Sequence, residues 1–65
     1  MSVGENIKKI REKRGMSQLK LAQEVGVTQT LICQIEKEIR TPSFIIAVEI
    51  AKALNCKTDD FLKAE

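Results

Sequence analysis

Histidine, tryptophan and tyrosine are all absent from this chain of 65 residues, which has one proline and two phenylalanines. Without histidine there is no Ser-His or Cys-His pair for nucleophilic catalysis. Cysteine is confined to Cys33 and Cys56, which form no C-x-x-C and are too few for a disulfide framework or a zinc site. The three glycines make no phosphate-cradling loop. Asp59 and Asp60 are adjacent, and adjacent helical residues do not face one another, so capping explains them better than paired-carboxylate catalysis. No apolar run approaches the roughly 18 residues that a membrane span requires. The start, Met1-Ser2-Val3-Gly4, has neither the charged nor the apolar region of a signal peptide, so the expected compartment is cytoplasmic. An enzyme is therefore the least expected reading. No cofactor, metal, membrane or small-molecule ligand is expected either.

What is present is a small, charge-rich domain, 43% hydrophobic and 31% charged. The length allows one domain, residues 1–65, which hides roughly 60% of its unfolded surface and so has a thin but feasible core. The net charge of +2 is unevenly spread. Residues 1–40 hold eight Lys or Arg against five Asp or Glu, whereas residues 41–65 hold three against four. Lys8, Lys9, Arg11, Lys13 and Arg14 share one segment. Such clustering suits a phosphate-facing surface, but charge alone favours an ordinary solvated helix face.

Gly4, Gly15, Gly26 and the Thr41-Pro42-Ser43 triplet cut the chain into helix-length pieces, and no segment alternates with period two. An all-α fold of five helices follows. The first helix starts near Gly4, where Ser2 and Glu5 have capping-box spacing, and runs to about Arg14 with Ile7 and Ile10 inward. The second begins at Ser17, a good N-cap, and stops at Gly26, burying Leu21, Ala22 and Val25. Thr28 caps the third, which reaches about Lys37 and buries Ile32 and Ile35. Pro42 and Ser43 open the fourth, which ends at Leu54 with Asn55 as the stop. Its apolar stripe reads as Phe44, Ala47, Val48, Ala51 and Leu54. A short fifth helix follows from Thr58, with Asp59 and Asp60 at the favoured end of its dipole and Phe61 and Leu62 folding back onto the core.

The informative stretch runs from Gln18 to Glu36. Ala22 follows Gln18 by four residues and Gly26 follows by four more, with Ile32 and Ile35 beyond. A small Ala lets the next helix cross closely, Gly26 permits a positive φ, and the two Ile anchor the second helix to the first. This is the pattern of a helix-turn-helix over about residues 17–37, whose second helix can enter a DNA major groove. At 100° per residue from Thr28, Gln29, Thr30, Cys33 and Gln34 fall on one arc and Ile32 and Ile35 on the other side. That outward arc is uncharged in a chain nearly one-third charged. Amides and hydroxyls there suit hydrogen bonding to base edges.

These residues resemble the Cro and C1 phage-repressor family of helix-turn-helix domains. The likeness runs through Gly4-Glu5-Asn6-Ile7-Lys8-Lys9-Ile10-Arg11, Met16-Ser17-Gln18, Leu21-Ala22, Val25-Gly26-Val27-Thr28 and Ile35-Glu36. It continues through Pro42-Ser43 to Ile50-Ala51-Lys52-Ala53-Leu54, covering about residues 4–62. The resemblance implies a lambda-repressor-like fold and sequence-specific binding of double-stranded DNA by a transcriptional regulator, more often a repressor. It implies Gln29, Thr30, Cys33 and Gln34 as base readers, with Cys33 a small contact residue. Leu31, on the flank, covers a thymine methyl or extends the core. Ser17, Gln18, Thr28, Lys37, Arg40 and Thr41 are implied as phosphate contacts, and Arg11 with Glu36 as a buried structural salt bridge. Cys56, where the family has an apolar residue, is expected to fill the core. The chain departs from the family at Glu38 and Ile39, where Gly or Asn and a polar residue are common; a left-handed Glu38 would carry strain.

The fourth helix is apolar nearly all round, which calls for a second partner. Ile45, Ile46 and Ile50, with Ile39 in the preceding loop, are read as the contact of a homodimer, which would match a palindromic operator. The alternative is a protein-interaction module, such as an antitoxin or immunity component, using the same fold. Salt-sensitive retention on random duplex DNA separates the two.

Overall fold

The computed structural model describes residues 2–62, and the side chains of residues 2–61. Five α-helices follow in order: α1 (Val3–Lys13), α2 (Gln18–Val25), α3 (Gln29–Glu36), α4 (Phe44–Ala53) and α5 (Thr58–Leu62). There is no strand among the described residues, and no helix long and apolar enough to cross a membrane. Four helices begin as the sequence predicts, on hydroxyl caps. Ser2, Ser17, Thr28 and Ser43 each have extended backbone and accept the N–H three residues on. Each cap satisfies one donor that the helix itself leaves unpaired, an effect of typically about 1 kcal/mol. The start of α5 is bonded differently, the Lys57 N–H donating to Asp60 Oδ2 at 2.9 Å.

The core is one cluster: Ile7 of α1, Leu21 and Ala22 of α2, Ile32 and Ile35 of α3, Ala47, Ile50 and Ala51 of α4, then Leu54 and Phe61. Helix α2 packs on both α3 and α4, and α1 packs on α3 and α5. Fully burying one Ile, Leu or Phe contributes about 1.5–3 kcal/mol. Phe61 folds back as the sequence suggests, and Asn6 Nδ2 donates to its carbonyl at 3.2 Å, tying α5 to α1. Leu62's side chain lies outside the described residues. Cys56 is half-buried against the core, as expected; burial, with Asp60 adding to it and Arg14 opposing, pushes its thiol pKa up. A raised pKa disfavours the thiolate, which is the reactive form.

Two expectations for α4 are corrected. Ile50 is 0% exposed and belongs to the core, so it cannot form part of a surface contact. Phe44, read as core, is 77% exposed. The buried stripe is Ala47, Ile50, Ala51 and Leu54, the i, i+3, i+4, i+7 pattern facing α2. The basic cluster of α1 is also divided. Arg11 is buried, and Arg14 donates to the carbonyls of Leu54 (2.8 Å) and Asn55 (3.2 Å), placing a cation on the C-terminal end of α4. Lys8, Lys9 and Lys13 remain exposed.

Candidate nucleic-acid interface

Helices α2 and α3 are joined by Gly26, whose φ of 87° an L side chain would strain, and Val27 then returns its N–H to Ala22 O at 3.0 Å. The turn is closed by Thr28, whose Oγ1 accepts the Leu31 N–H at 3.1 Å and starts α3. With Ile32 and Ile35 sealed inside, the opposite face of α3 is set. Gln29 and Thr30 are exposed in its first turn, and Cys33 and Gln34 are half-buried one turn later. Leu31 is partly buried and packs against the core. From Thr28 to Gln34 no residue carries a charge. What the face offers is amides, hydroxyls and a thiol, the donors and acceptors that fit base edges.

The start of α2 is capped in the same way as that of α3. Ser17 Oγ accepts the Lys20 N–H at 3.0 Å, leaving the Gln18 and Leu19 N–H groups outside the helical ladder. The hydroxyls of Ser17 and Thr28 accept in their caps and keep their own O–H as donors. An anion at this N-terminus would meet free N–H groups and the positive end of the dipole. Lys37, Arg40 and Thr41, beyond the end of α3, are all exposed.

One buried network holds these pieces in register. Arg11 grips Glu36 with two hydrogen bonds, Nε to Oε2 at 2.7 Å and Nη2 to Oε1 at 3.1 Å, and donates from Nη1 to Met16 O at 2.7 Å. This fork joins α1, the loop before α2, and the last turn of α3. The hydrogen bonds to Glu36 raise the Arg11 pKa, burial partly opposes them, and the charges of Glu36 and Glu12 add to the rise. Gln18 is part of the same network: its Nε2 donates to Glu36 Oε1 at 3.0 Å. The phosphate role expected of Gln18 is thus joined by an architectural one, and its second amide N–H is still available.

Sequence reasoning missed a second partner as well. Glu38 has the left-handed φ anticipated, 65°, and its Oε2 accepts the Gly4 N–H at 2.5 Å. The matching signal was Gly4 itself, since a Cβ there would collide with Glu38 Oε2 and with the Ile35 and Glu36 carbonyls. Of the proposed subunit contact, Ile39 and Ile45 are 66% and 71% exposed, and Ile46 is half-buried against the core.

Two short capped helices crossing through a left-handed glycine, with a polar, uncharged face on the second, define a helix-turn-helix protein. The match to the helix-turn-helix family HTH_3 extends over residues 7–61, and the chain belongs to that family. The HTH-type transcriptional regulator YgzD of Bacillus subtilis is 41% identical over 54 residues, covering 83% of this chain and 82% of the relative. Among solved structures, the P22 c2 repressor in complex with synthetic operator 9T superposes with a TM-score of 0.92 at 32% identity, covering 100% of this chain and 98% of that one. SinR, a master regulator for biofilm formation, in complex with DNA, gives 0.81 at 28% identity over 86% of this chain and 90% of that one.

Proposed function

We propose that this helix-turn-helix regulator, a non-enzymatic DNA-binding protein, represses transcription by binding a palindromic operator in duplex DNA as a homodimer. The observation that carries the reading is the uncharged polar face of α3, turned outward by the burial of Ile32 and Ile35. The operator-bound and DNA-bound states of the P22 c2 and SinR neighbours support it. In this reading α3 lies in the major groove. Gln29 and Thr30 read the nearest base edges, with Cys33 and Gln34 reaching those along the helix. Ser17, Gln18, Thr28, Lys37, Arg40 and Thr41 take phosphate and fix the register. Two copies would place their α3 helices in successive grooves about 34 Å apart.

The contact between subunits uses the exposed apolar residues Ile39, Phe44 and Ile45, with Ile46 at their edge. These same residues favour the alternative of a protein-interaction module. The charge-free α3 face has no role in that alternative.

Binding titrations test the reading directly. Gln29→Ala removes an amide able to pair with adenine, and specific affinity is expected to fall about tenfold to hundredfold, the equivalent of about 1–3 kcal/mol. Non-specific affinity is expected to hold. Arg40→Ala is expected to weaken all duplexes alike and to lower the slope of log affinity against log salt by about one. Retention on duplex DNA that ignores salt favours the protein-interaction reading instead, whereas an unchanged sequence preference in Gln29→Ala means that α3 is not the reader.

A further inference from the structure

Three helices end in one way, and one does so with an unsuited residue. Past α1, α3 and α4 the chain turns through a left-handed position: Gly15 (φ 68), Glu38 (φ 65) and Asn55 (φ 56). After α3, the Glu38 N–H returns to Ile35 O at 3.1 Å and the Ile39 N–H to Gln34 O at 2.9 Å. The ends of α1 and α4 repeat this bonding. Glycine has no Cβ to clash there and asparagine can bond locally, whereas glutamate gains nothing from the turn itself.

Its carboxylate reaches the start of α1 instead. The first turn of a helix has donors with no partner. In α1, Ser2 Oγ takes the Glu5 N–H and Ser2 O takes the Asn6 N–H. The Gly4 N–H is met by Glu38 Oε2, 34 residues along the chain. A negative charge is favoured at that end of the helix dipole. The approach also demands glycine at position 4, as the backbone collisions of an added Cβ show.

We propose that Glu38 is a positioning residue for operator binding. Latched to the Gly4 N–H, it holds the loop after α3 so that Lys37, Ile39, Arg40 and Thr41 are presented to phosphate and to the second subunit. The inference rests on the DNA-binding reading above and adds a role for the first turn of α1. Glu38 touches neither base nor phosphate; it acts through the backbone of its loop.

The test compares the full chain with Glu38→Gly and Glu38→Gln. Glycine takes the left-handed turn freely, so relief of strain offsets the lost bond, and the melting temperature is expected to stay within a few degrees. Glutamine keeps a side-chain oxygen for the Gly4 N–H. In Glu38→Gly, Gly4 amide exchange is expected to quicken about tenfold or more. Operator affinity at fixed salt is expected to fall about tenfold. Deleting a negative charge near DNA would by itself raise affinity, so a fall carries the sign of lost positioning. Glu38→Gln, which deletes the same charge, is expected to restore most of both properties. Unaltered operator affinity in Glu38→Gly, or unaltered Gly4 exchange, overturns this inference alone. A wild-type chain that prefers no duplex sinks it together with the DNA-binding reading.

Discussion

Glu36→Ala is expected to destabilise the protein by about 3–5 kcal/mol, because it strands a buried guanidinium. The Arg11 and Glu36 side chains are 9% and 3% exposed, so water cannot replace the lost partner. Gln18 Nε2 loses its acceptor at the same time. For a domain of this size each kcal/mol shifts the melting temperature by about 4–8 °C, so a fall of at least about 12 °C is expected by calorimetry. Joint replacement of Arg11 and Glu36 by Met is expected to recover part of the loss, since no charge is then left buried. The sign of the pH dependence follows from the raised Arg11 pKa. A cation whose folded pKa is raised contributes fully below its unfolded value, and that contribution is lost only as pH climbs through the folded value. For an arginine this window is strongly alkaline, and the Arg11 contribution is expected to stay constant across the neutral range.

Phe44→Asp is expected to leave the fold intact and to cost operator affinity about a hundredfold or more. Phe44 is exposed and opens α4, where an acidic residue is favoured by the helix dipole, so the melting temperature is expected to hold or rise slightly. The same change places a charge among the exposed apolar residues proposed as the subunit contact. A dimer engages its second half-site from a high effective concentration, and losing that linkage reduces avidity by about 10²–10⁴. Sedimentation of the variant should give a monomer, with and without operator. A variant that still dimerises would move the contact away from Ile39, Phe44 and Ile45.

Where the chain punctuates itself, its fold was readable from local chemistry. The hydroxyl caps at Ser2, Ser17, Thr28 and Ser43, the left-handed Gly26 and the stop at Asn55 each act within a few residues, and single side chains decide them. The outward face of α3 was equally legible, because its apolar and polar residues separate cleanly around the helix. The phase of α4 was not. So many of its residues are apolar that periodicity alone selects no face, and the choice of Ile50 over Phe44 is made by packing on α2. Nor did spacing predict that Glu38 would reach Gly4, or that Gln18 would join Arg11 on Glu36. These bonds span 34 and 18 residues and exist only once the helices have packed.

The proposed role of α3 is to interrogate bases from its exposed polar side. Selection from a random duplex pool at fixed salt, run in parallel on the wild type and Gln29→Ala, tests it most directly. A two-fold symmetric motif is expected for the wild type, and for the variant a motif relaxed at one matching position in each half. The same motif with the same strength of preference from both proteins would contradict it.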